Sequence, residues 1–187
     1  MAKKNPKPEE TRAAICGAAA SLFMENGIHA TSLYDIARFA HMSKGTLYYH
    51  YPSKEALTLE IAEAHFSYIT AVIYAWIEEL EADTPALFAL EPLAETLLKE
   101  RSWVRLHFAL LGEALREDGA LRALLAAKQH EWAVMLEVSA IKMTGPGARL
   151  FLEHCREYIP LLYGYAMHKL SDEKEMDATL LNRLICE

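Results

Sequence analysis

Residues 40–57 read AHMSKGTLYYHYPSKEAL and hold four ring side chains in a row, at positions 48–51, just behind a cluster of small polar residues. Serine is a preferred N-cap residue, so Ser43 predicts a short helix that begins at Lys44. Pro52 ends this helix, because proline lacks the amide donor and disfavours helix in the residue before it. Rings at consecutive positions fan around a helix, so they cannot all be buried in a core.

Two further helices are predicted before this one. The first has an apolar face with helical spacing from Ile15 to Phe23, and Asn26-Gly27 supplies a stop at its C-terminal end. The second follows Thr31-Ser32, whose hydroxyls offer an N-cap, with Asp35 placed to close a capping box with Ser32. Two short helices joined by a few residues, the later one starting with small polar side chains, indicate a helix-turn-helix.

The rest of the chain also has helical periodicity, and no segment alternates as a strand does. Ser53 is predicted to cap a fourth helix that runs to about Ala82, and five more helices follow between Gly-, Pro- and Asp-containing breaks. Pro92 is expected either to start a helix or to kink one, and Pro160 is expected to bend the eighth helix. The predicted fold is all-α with about nine helices, divided into residues 1–53 and residues 54–187.

Charge is distributed unevenly along the 187 residues. Residues 1–54 hold seven Lys/Arg against four Asp/Glu, whereas residues 55–187 hold twelve against twenty-two, for a net charge of −7. A basic head on an acidic body is expected when only the head approaches a polyanion. The three cysteines are far apart, the basic start lacks the apolar stretch of a secretory signal, and no uninterrupted apolar run is long enough to span a bilayer. We therefore expect a cytoplasmic protein with reduced thiols and no membrane partner.

The helix that begins at Lys44 carries side chains suited to DNA. In a helix-turn-helix the N-terminal residues of the second helix lead into the major groove, which places Lys44 and Thr46 near base edges or phosphates. Gly45 removes a side chain where two backbones approach. The hydroxyl and imidazole groups at positions 48–50 suit phosphate oxygens, and Lys54 adds a cation beside the free amides of the next helix. Leu47 and Tyr51 are the pair expected to turn inward.

At these positions the sequence resembles the tetracycline-repressor-like (TetR) family of transcriptional regulators, over residues 11–57. The matching residues are Thr11-Arg12, Ile15, Ala19, Leu22-Phe23, Gly27, Thr31-Ser32-Leu33, Asp35-Ile36-Ala37, Ser43-Lys44-Gly45-Thr46-Leu47-Tyr48-Tyr49-His50-Tyr51 and Ser53-Lys54-Glu55-Ala56-Leu57. Two residues depart from the usual pattern. Met42 replaces an aliphatic β-branched residue and Tyr51 replaces the commoner phenylalanine, and both changes are conservative for packing.

The resemblance implies a ligand-responsive regulator, a repressor that binds a palindromic operator as a homodimer and is released by a small hydrophobic or amphipathic effector. The division of the chain then becomes a DNA-binding domain at residues 1–53 and an effector-binding and dimerisation domain at residues 54–187. The family's DNA contacts map onto ten positions of this sequence. These are Thr31, Ser32, Ser43, Lys44, Gly45, Thr46, Tyr48, Tyr49, His50 and Lys54.

The acidic body holds candidates for the dimer interface and for the effector pocket. Apolar faces on the last two predicted helices are broad enough to need cover on both sides, and the resemblance implies a two-fold four-helix bundle there. The dimer candidates are Phe151, Cys155, Tyr158, Leu162, Tyr165, Leu180 and Leu184. The pocket candidates, drawn from an unusual aromatic load, are His65, Trp76, Trp103, His107, Trp132 and Tyr158. The alternatives are that a single chain covers both faces and that these rings are core residues.

Two rival functions remain. Eight histidines suggest a metal-dependent helical-bundle enzyme, but none has a glutamate three residues before it, as di-iron bundles require. Catalytic and nucleotide-binding signatures such as H-E-x-x-H, G-x-S-x-G and the Walker loop are also missing from the sequence. A helical adaptor without DNA binding would leave the ring row and the basic head unexplained. We therefore expect neither an enzyme nor a cofactor or metal.

Overall fold

In the computed structural model, the described residues, 7–81, 85–116, 118–143 and 148–171, form α-helices and one 3₁₀ turn, and contain no strand. This confirms the all-α prediction. The helices are α1 (Pro8–Asn26), α2 (Leu33–Phe39), α3 (Lys44–His50), α4 (Lys54–Glu79), α5 (Ala86–Leu98), α6 (Arg101–Ala114), α7 (Ala120–Lys142), α8 (Ala148–His154) and α9 (Tyr158–Ser171). The ninth helix of the sequence prediction, beyond Ser171, lies outside the described residues.

The boundaries of the first helix follow local chemistry. Pro8 stands at its first position, where the missing amide would have no intrahelical partner. Gly27 ends the helix with a φ of +82°, a conformation that residues with a Cβ rarely adopt, and its amide donates to the Phe23 carbonyl. The apolar face that includes Ile15 and Ala19 is buried, so this helix is held by packing as well as by its ends.

Both helices of the predicted helix-turn-helix start at the expected caps. Ser32 Oγ accepts from the Asp35 amide at 3.2 Å, and the Asp35 carboxylate accepts from the Ser32 amide at 3.1 Å. Ser43 Oγ accepts from the Thr46 amide at 3.0 Å at the start of α3. Between the two helices, His41 takes a φ of +54°, the left-handed conformation of the turn.

The fourth helix is a long core helix. Ser53 Oγ accepts from the Ala56 amide at 3.1 Å, as expected for its cap. By length and composition alone α4 would be long and apolar enough to cross a membrane. However, Leu57, Ile61 and Phe66 on this helix are buried inside the protein, as in a helix that packs in a core.

Two prolines correct and refine the predicted boundaries. Pro92 lies inside α5, and the break between α5 and α6 falls at Lys99-Glu100 instead. Of the two alternatives, a helix start at Pro92 is therefore wrong, whereas a kink within α5 stays a prediction. Pro160 stands at the third position of α9, directly after a 3₁₀ turn at Cys155–Glu157 that separates α8 from α9. Proline removes a backbone donor and crowds the preceding turn, which explains the predicted bend.

By their internal contacts, the described residues group into two compact units. Unit 1 comprises Met1–His65 and Arg105–Ala123, and unit 2 comprises Phe66–Val104 and Leu124–Glu187. Unit 1 contains the whole helix-turn-helix, and its core includes Ile15, Phe23 and Leu57. Unit 2 has its own core around Trp132, Phe151 and Tyr158.

Candidate nucleic-acid interface

The recognition helix α3 is anchored by two inward side chains. Leu47 is fully buried and Tyr51, at the C-terminal end of the helix, is 1% exposed. Residues four apart lie on one face of a helix, so this pair turns that face into the core of unit 1. The predicted inward pair is therefore confirmed, and the remaining positions of a seven-residue helix must lie at its side or at its surface.

The surface of α3 carries the candidate DNA-contacting side chains. Tyr48 is 52% exposed and Tyr49 is 84% exposed, and the Tyr49 ring meets the half-buried His50 ring edge-on at 5.2 Å between centroids. Ser43, Lys44, Gly45 and Thr46 are also exposed, and the Ser43 and Thr46 hydroxyls lie 2.8 Å apart. The structure thus brings seven of the ten sequence candidates together on α3 and its cap, with donors on the solvent side.

Gly45 has no internal reason to be glycine. A Cβ built there would meet only the Ser43 Oγ, at 3.7 Å, which is an ordinary contact, and the backbone is not in the left-handed region. Glycine in a helix is less favourable than alanine by about 1 kcal/mol. Glycine at this position therefore fits a close approach of α3 to another molecule.

Three other candidates lie at the start of α2 and α4, and two of them form hydrogen bonds within the chain. The Lys54 ammonium donates to the carbonyls of Ile28, His29 and Thr31 at 2.9, 3.1 and 3.1 Å, which uses all three of its protons. The Thr31 hydroxyl donates to the Gly27 carbonyl at 2.8 Å, and the residue is 2% exposed. Ser32 is exposed beside them as the cap of α2. Thr31 and Lys54 therefore hold the turn that precedes α2.

The same turn is held from a second side. Arg116, which follows α6, places its Nη1 2.7 Å from His29 Nδ1 and 3.4 Å from Glu113 Oε1. A guanidinium only donates, so the His29 Nδ1 is the acceptor in this contact. Residues 28–31 are thus fastened by Lys54 from α4 and by Arg116 from the end of α6.

A polar network that no sequence pattern predicted lies at the end of α3. The Tyr51 hydroxyl donates to Glu60 Oε1 at 2.8 Å and lies 3.2 Å from Cys16 Sγ, while Arg12 pairs with Glu60 and sits 4.8 Å from the Tyr51 ring centroid. Burial, followed by these hydrogen bonds, raises the pKa of the Tyr51 hydroxyl well above its ordinary range. The hydroxyl that distinguishes Tyr51 from phenylalanine therefore links α1, α3 and α4. Arg12, one of the residues that carry the family resemblance, belongs to this network.

The candidate pocket residues are divided between the two units. His65 and His107 lie in unit 1 and are buried, with His65 Nε2 3.1 Å from His107 Nδ1. Burial lowers the pKa of His107 to about 4, and burial together with the neighbouring His107 lowers the pKa of His65 to about 3. This pair is therefore neutral near pH 7 and is typical of a packed core contact.

The four other pocket candidates lie in unit 2. Trp132 is fully buried, and its Nε1 donates to Thr70 Oγ1 at 2.9 Å; Tyr158 is also fully buried, and its hydroxyl donates to the Leu90 carbonyl at 3.1 Å. Trp76 is buried, whereas the half-exposed Trp103 stacks on Tyr68 at 4.6 Å between centroids. Trp132 and Tyr158 satisfy their polar atoms inside the chain, which is the core alternative left open by the sequence.

A cleft in unit 1 contains none of the pocket candidates. It has a volume of about 160 Å³ and is lined by residues of α4, α6 and α7 that include Thr58, Leu59, Ala114 and Leu121. Sites for drug-sized ligands are usually about 300–1,000 Å³. The cleft is therefore too small to be the predicted effector pocket.

Most dimer candidates are interior residues of a single chain. Phe151, Cys155, Tyr158 and Leu162 are at most 3% exposed, and Tyr165 is half-buried. One chain buries four of these residues by itself, which agrees with the alternative that a single chain covers both faces. Leu180 and Leu184 lie outside the described residues. The apolar side chains that do face outward on α7, α8 and α9 are Val134, Val138, Ile141, Leu152, Leu161 and Met167.

Comparisons with known proteins point to the same region. Residues 15–61 match a family described as bacterial regulatory proteins, tetR family. The chain is 49% identical over 47 residues to the regulator QacR of Staphylococcus aureus strain Mu50, an alignment that covers 25% of each protein. It is 26% identical to the regulator RutR of Escherichia coli strain K12, over 99% of this chain and 93% of RutR.

A solved structure is similar over nearly the whole chain. A TetR-family member from Streptomyces coelicolor A3 superposes with a TM-score of 0.75 at 21% identity, covering 94% of this chain and 96% of that one. At this identity the likeness concerns the fold alone. The high-identity alignments, in contrast, span about a quarter of the length of the curated relatives. The family match at residues 15–61 contains α2 and α3.

Proposed function

We propose that the chain is a member of the tetR family of bacterial regulatory proteins and acts as a transcriptional regulator, a repressor whose α3 enters the major groove of operator DNA. A single observation carries this proposal. A short capped helix, fixed by two buried residues, presents Tyr48 and Tyr49 to solvent with hydroxyl groups that have no partner among the described residues. Hydrogen bonds from such donors to phosphate oxygens position a protein on a duplex.

Gly45 supports the same placement. Its Cβ-free backbone lies at the N-terminal edge of α3, the edge that leads into the groove in this motif. Lys44, Thr46 and Ser43 surround it, so the edge combines one cation with hydroxyl groups. We assign the sequence-reading contacts to this edge and the phosphate contacts to Tyr48, Tyr49 and His50.

Thr31 and Lys54 serve the interface indirectly in this proposal. Both hold the turn before α2 by hydrogen bonds to backbone carbonyls, and this turn sets how Ser32 and α2 approach the phosphate backbone. The division at residue 53 follows from the same assignment. Residues 1–53 read DNA, and residues 54–187 bind an effector and form the dimer.

The regulator acts as a homodimer. One head contacts only a few base pairs, whereas two heads of a symmetric dimer reach half-sites about 34–36 Å apart on a palindrome. The exposed apolar residues Leu152, Leu161 and Met167 on α8 and α9, rather than the buried candidates of the sequence prediction, provide a surface for the partner. Sedimentation velocity at micromolar concentration tests this assignment, since a monomer contradicts it.

The effector is a small hydrophobic or amphipathic molecule that releases the protein from DNA in the cytoplasm. The support is the aromatic content of residues 54–187, including Trp76 and Trp103, and the family's frequent response to ligands. An effector acts only through a difference in affinity between two states, and about 5.5 kcal/mol shifts an equilibrium from 1:99 to 99:1. Mass spectrometry of molecules that copurify with the protein, followed by operator binding with each one, tests this role.

A selection experiment tests DNA binding. The purified protein is incubated with a random duplex pool, and bound sequences are amplified and footprinted. We expect a palindromic sequence whose affinity falls steeply with salt, by about 0.9 in the log–log slope for each phosphate that is neutralised. The double variant Tyr48→Ala/Tyr49→Ala is expected to bind this duplex about 100-fold more weakly, from two lost charge-assisted hydrogen bonds of about 1.5 kcal/mol each.

The matched control is Tyr74→Ala, which removes from α4 in unit 2 a tyrosine whose exposure lies between those of Tyr48 and Tyr49. This variant should bind the selected duplex as the wild-type protein does. If selection enriches no sequence, or if the double variant binds as tightly as the control, the proposed function is wrong.

A further inference from the structure

One cation of the interface is held by a ring that the DNA-contact prediction did not include. Lys44 is the first residue of α3, and its Nζ lies 4.2 Å from the centroid of the Tyr34 ring. A cation within about 6 Å of an aromatic face is attracted by the ring quadrupole. Tyr34 is the second residue of α2, so the contact spans the two helices of the helix-turn-helix.

The Tyr34 side chain lies outside the core. The inward residues of α2 are Leu33, Ile36 and Ala37, whereas the Tyr34 side chain is 53% exposed. A large ring on the solvent side of a short helix contributes little to the core. Its contact with Lys44 is therefore the interaction that gives the ring a defined place on this surface.

Lys44 differs from the other lysine of the interface in what its protons do. Lys54 gives all three protons to backbone carbonyls, whereas Lys44 forms no ion pair within the described part of the chain and is exposed. A π face engages one side of an ammonium group and leaves N–H donors on the other side. Lys44 is thus restrained and still able to donate to an outside acceptor.

We propose that Tyr34 is a positioning residue for DNA binding, whose ring holds the Lys44 ammonium at the leading edge of α3. A free lysine side chain loses rotamer entropy when it is fixed against a phosphate or a base. The ring restricts that freedom before DNA arrives, so less is lost on binding. This inference rests on the proposed function, since it assigns a role within the same DNA interface.

The test is a double-mutant cycle on the duplex selected from the random pool. We expect Tyr34→Phe, which keeps the ring, to bind like the wild-type protein, and Tyr34→Leu to bind about twofold to fivefold more weakly. Lys44→Met should bind more weakly still, because it removes the cation from the leading edge of α3. In the Lys44→Met background, Tyr34→Leu should have no further effect, because the ring acts through the ammonium.

A control and the opposing outcomes separate this inference from the proposed function. Phe39→Leu removes a ring of similar exposure from the same helix and should show no coupling to Lys44→Met. If Tyr34→Leu binds as the wild-type protein does, or weakens binding equally with and without Lys44, Tyr34 does not position Lys44. In both cases the selected duplex still exists and the regulator proposal stands. If the pool yields no selected duplex, the proposed function itself fails.

Discussion

Two rings of α3 are exposed to solvent, whereas two rings of unit 2 are buried. The Tyr48 and Tyr49 side chains are exposed at the surface. In unit 2, the buried Trp132 indole N–H donates to Thr70 Oγ1, and the buried Tyr158 hydroxyl donates to the Leu90 carbonyl. In the sequence both groups look alike, as aromatic residues with a polar atom. The direction of the polar atom distinguishes a binding surface from a core, because a buried donor must find a partner inside the chain.

Helix length explains the contrast. Helix α3 has seven residues, and Leu47 with the capping Tyr51 covers its inward face, so rings between them have no interior to enter. Trp132 lies in the 23-residue α7, with Phe66 packed edge-on at 5.9 Å. Neighbouring helices cover such a long element, so its aromatic positions become core.

The largest effect that separates the two groups is expected at Trp132. Replacing it with alanine should lower the free energy of unfolding by about 3–5 kcal/mol, because it removes a fully buried indole and leaves a cavity. Urea unfolding measures this, and the exposed Tyr74→Ala should change the same quantity by less than about 0.5 kcal/mol. A loss below about 1 kcal/mol for Trp132→Ala would mean that the ring lines an open pocket.

The buried pair His65 and His107 in unit 1 tests whether burial alone makes a polar ring part of the core, in unit 1 as in unit 2. The folded pair stays neutral down to a pKa of about 4 for His107 and about 3 for His65, whereas the unfolded chain takes up these protons near pH 6.5. The unfolded state therefore binds more protons below pH 6.5, and stability should fall as the pH drops from 6.5 towards 4. The slope reaches at most about 1.4 kcal/mol per pH unit for each histidine.

Urea midpoints between pH 7 and pH 4 measure this slope. The double variant His65→Gln/His107→Gln should flatten it, while His154→Gln, which removes an exposed histidine, should leave it unchanged. An equal slope in the wild-type protein and the double variant would show that the pair titrates in the folded state as it does in the unfolded chain.

Gly45→Ala is expected to separate DNA affinity from stability. A methyl group has room within the chain, so stability should stay the same or rise by up to about 1 kcal/mol. Affinity for the selected duplex should fall about tenfold, which is within the cost of overpacking a tight contact. The matched control is Gly17→Ala in α1, which also has an open Cβ position and should leave affinity unchanged. Wild-type affinity for Gly45→Ala would place α3 away from the DNA backbone.

The smallest effect is expected in the turn between α2 and α3. His41→Gly should stabilise the protein by about 0.5–1 kcal/mol, because it removes the strain of a left-handed φ of +54° and loses some of that gain to chain entropy. Gly27→Ala, at a φ of +82°, should lower stability instead. Urea unfolding of the two variants measures both changes, and a destabilised His41→Gly would show that the imidazole itself supports the turn.

Local chemistry made the helix-turn-helix predictable, while long-range packing did not show in the sequence. The caps at Ser32 and Ser43, the stop at Gly27 and the inward pair of α3 each depend on residues at most four positions apart, and each was confirmed. The break at Lys99-Glu100 had no such marker, because both residues are good helix formers.

The candidate site residues show the same difference between what local sequence predicts and what long-range packing decides. Exposure of Tyr48 and Tyr49 follows from a short helix, but an apolar face at Phe151 or Leu162 reads the same whether the same chain or a partner covers it. The network around Tyr51 joins residues up to 48 positions apart, from Arg12 to Glu60, so no spacing rule finds it. The hydroxyl of Tyr51 was its one visible signal in the sequence.

The three hydrogen bonds that Lys54 donates have a consequence for substitutions that preserve its charge. Three carbonyl oxygens, one for each proton, lie 2.9–3.1 Å from the nitrogen of one ammonium group. The guanidinium of arginine is planar and carries its donors in a fixed fork, so it cannot serve the same three acceptors. The shape of the Lys54 ammonium group therefore matters more at this position than its charge. Lys54→Arg keeps the charge but would break hydrogen bonds that hold the turn before α2.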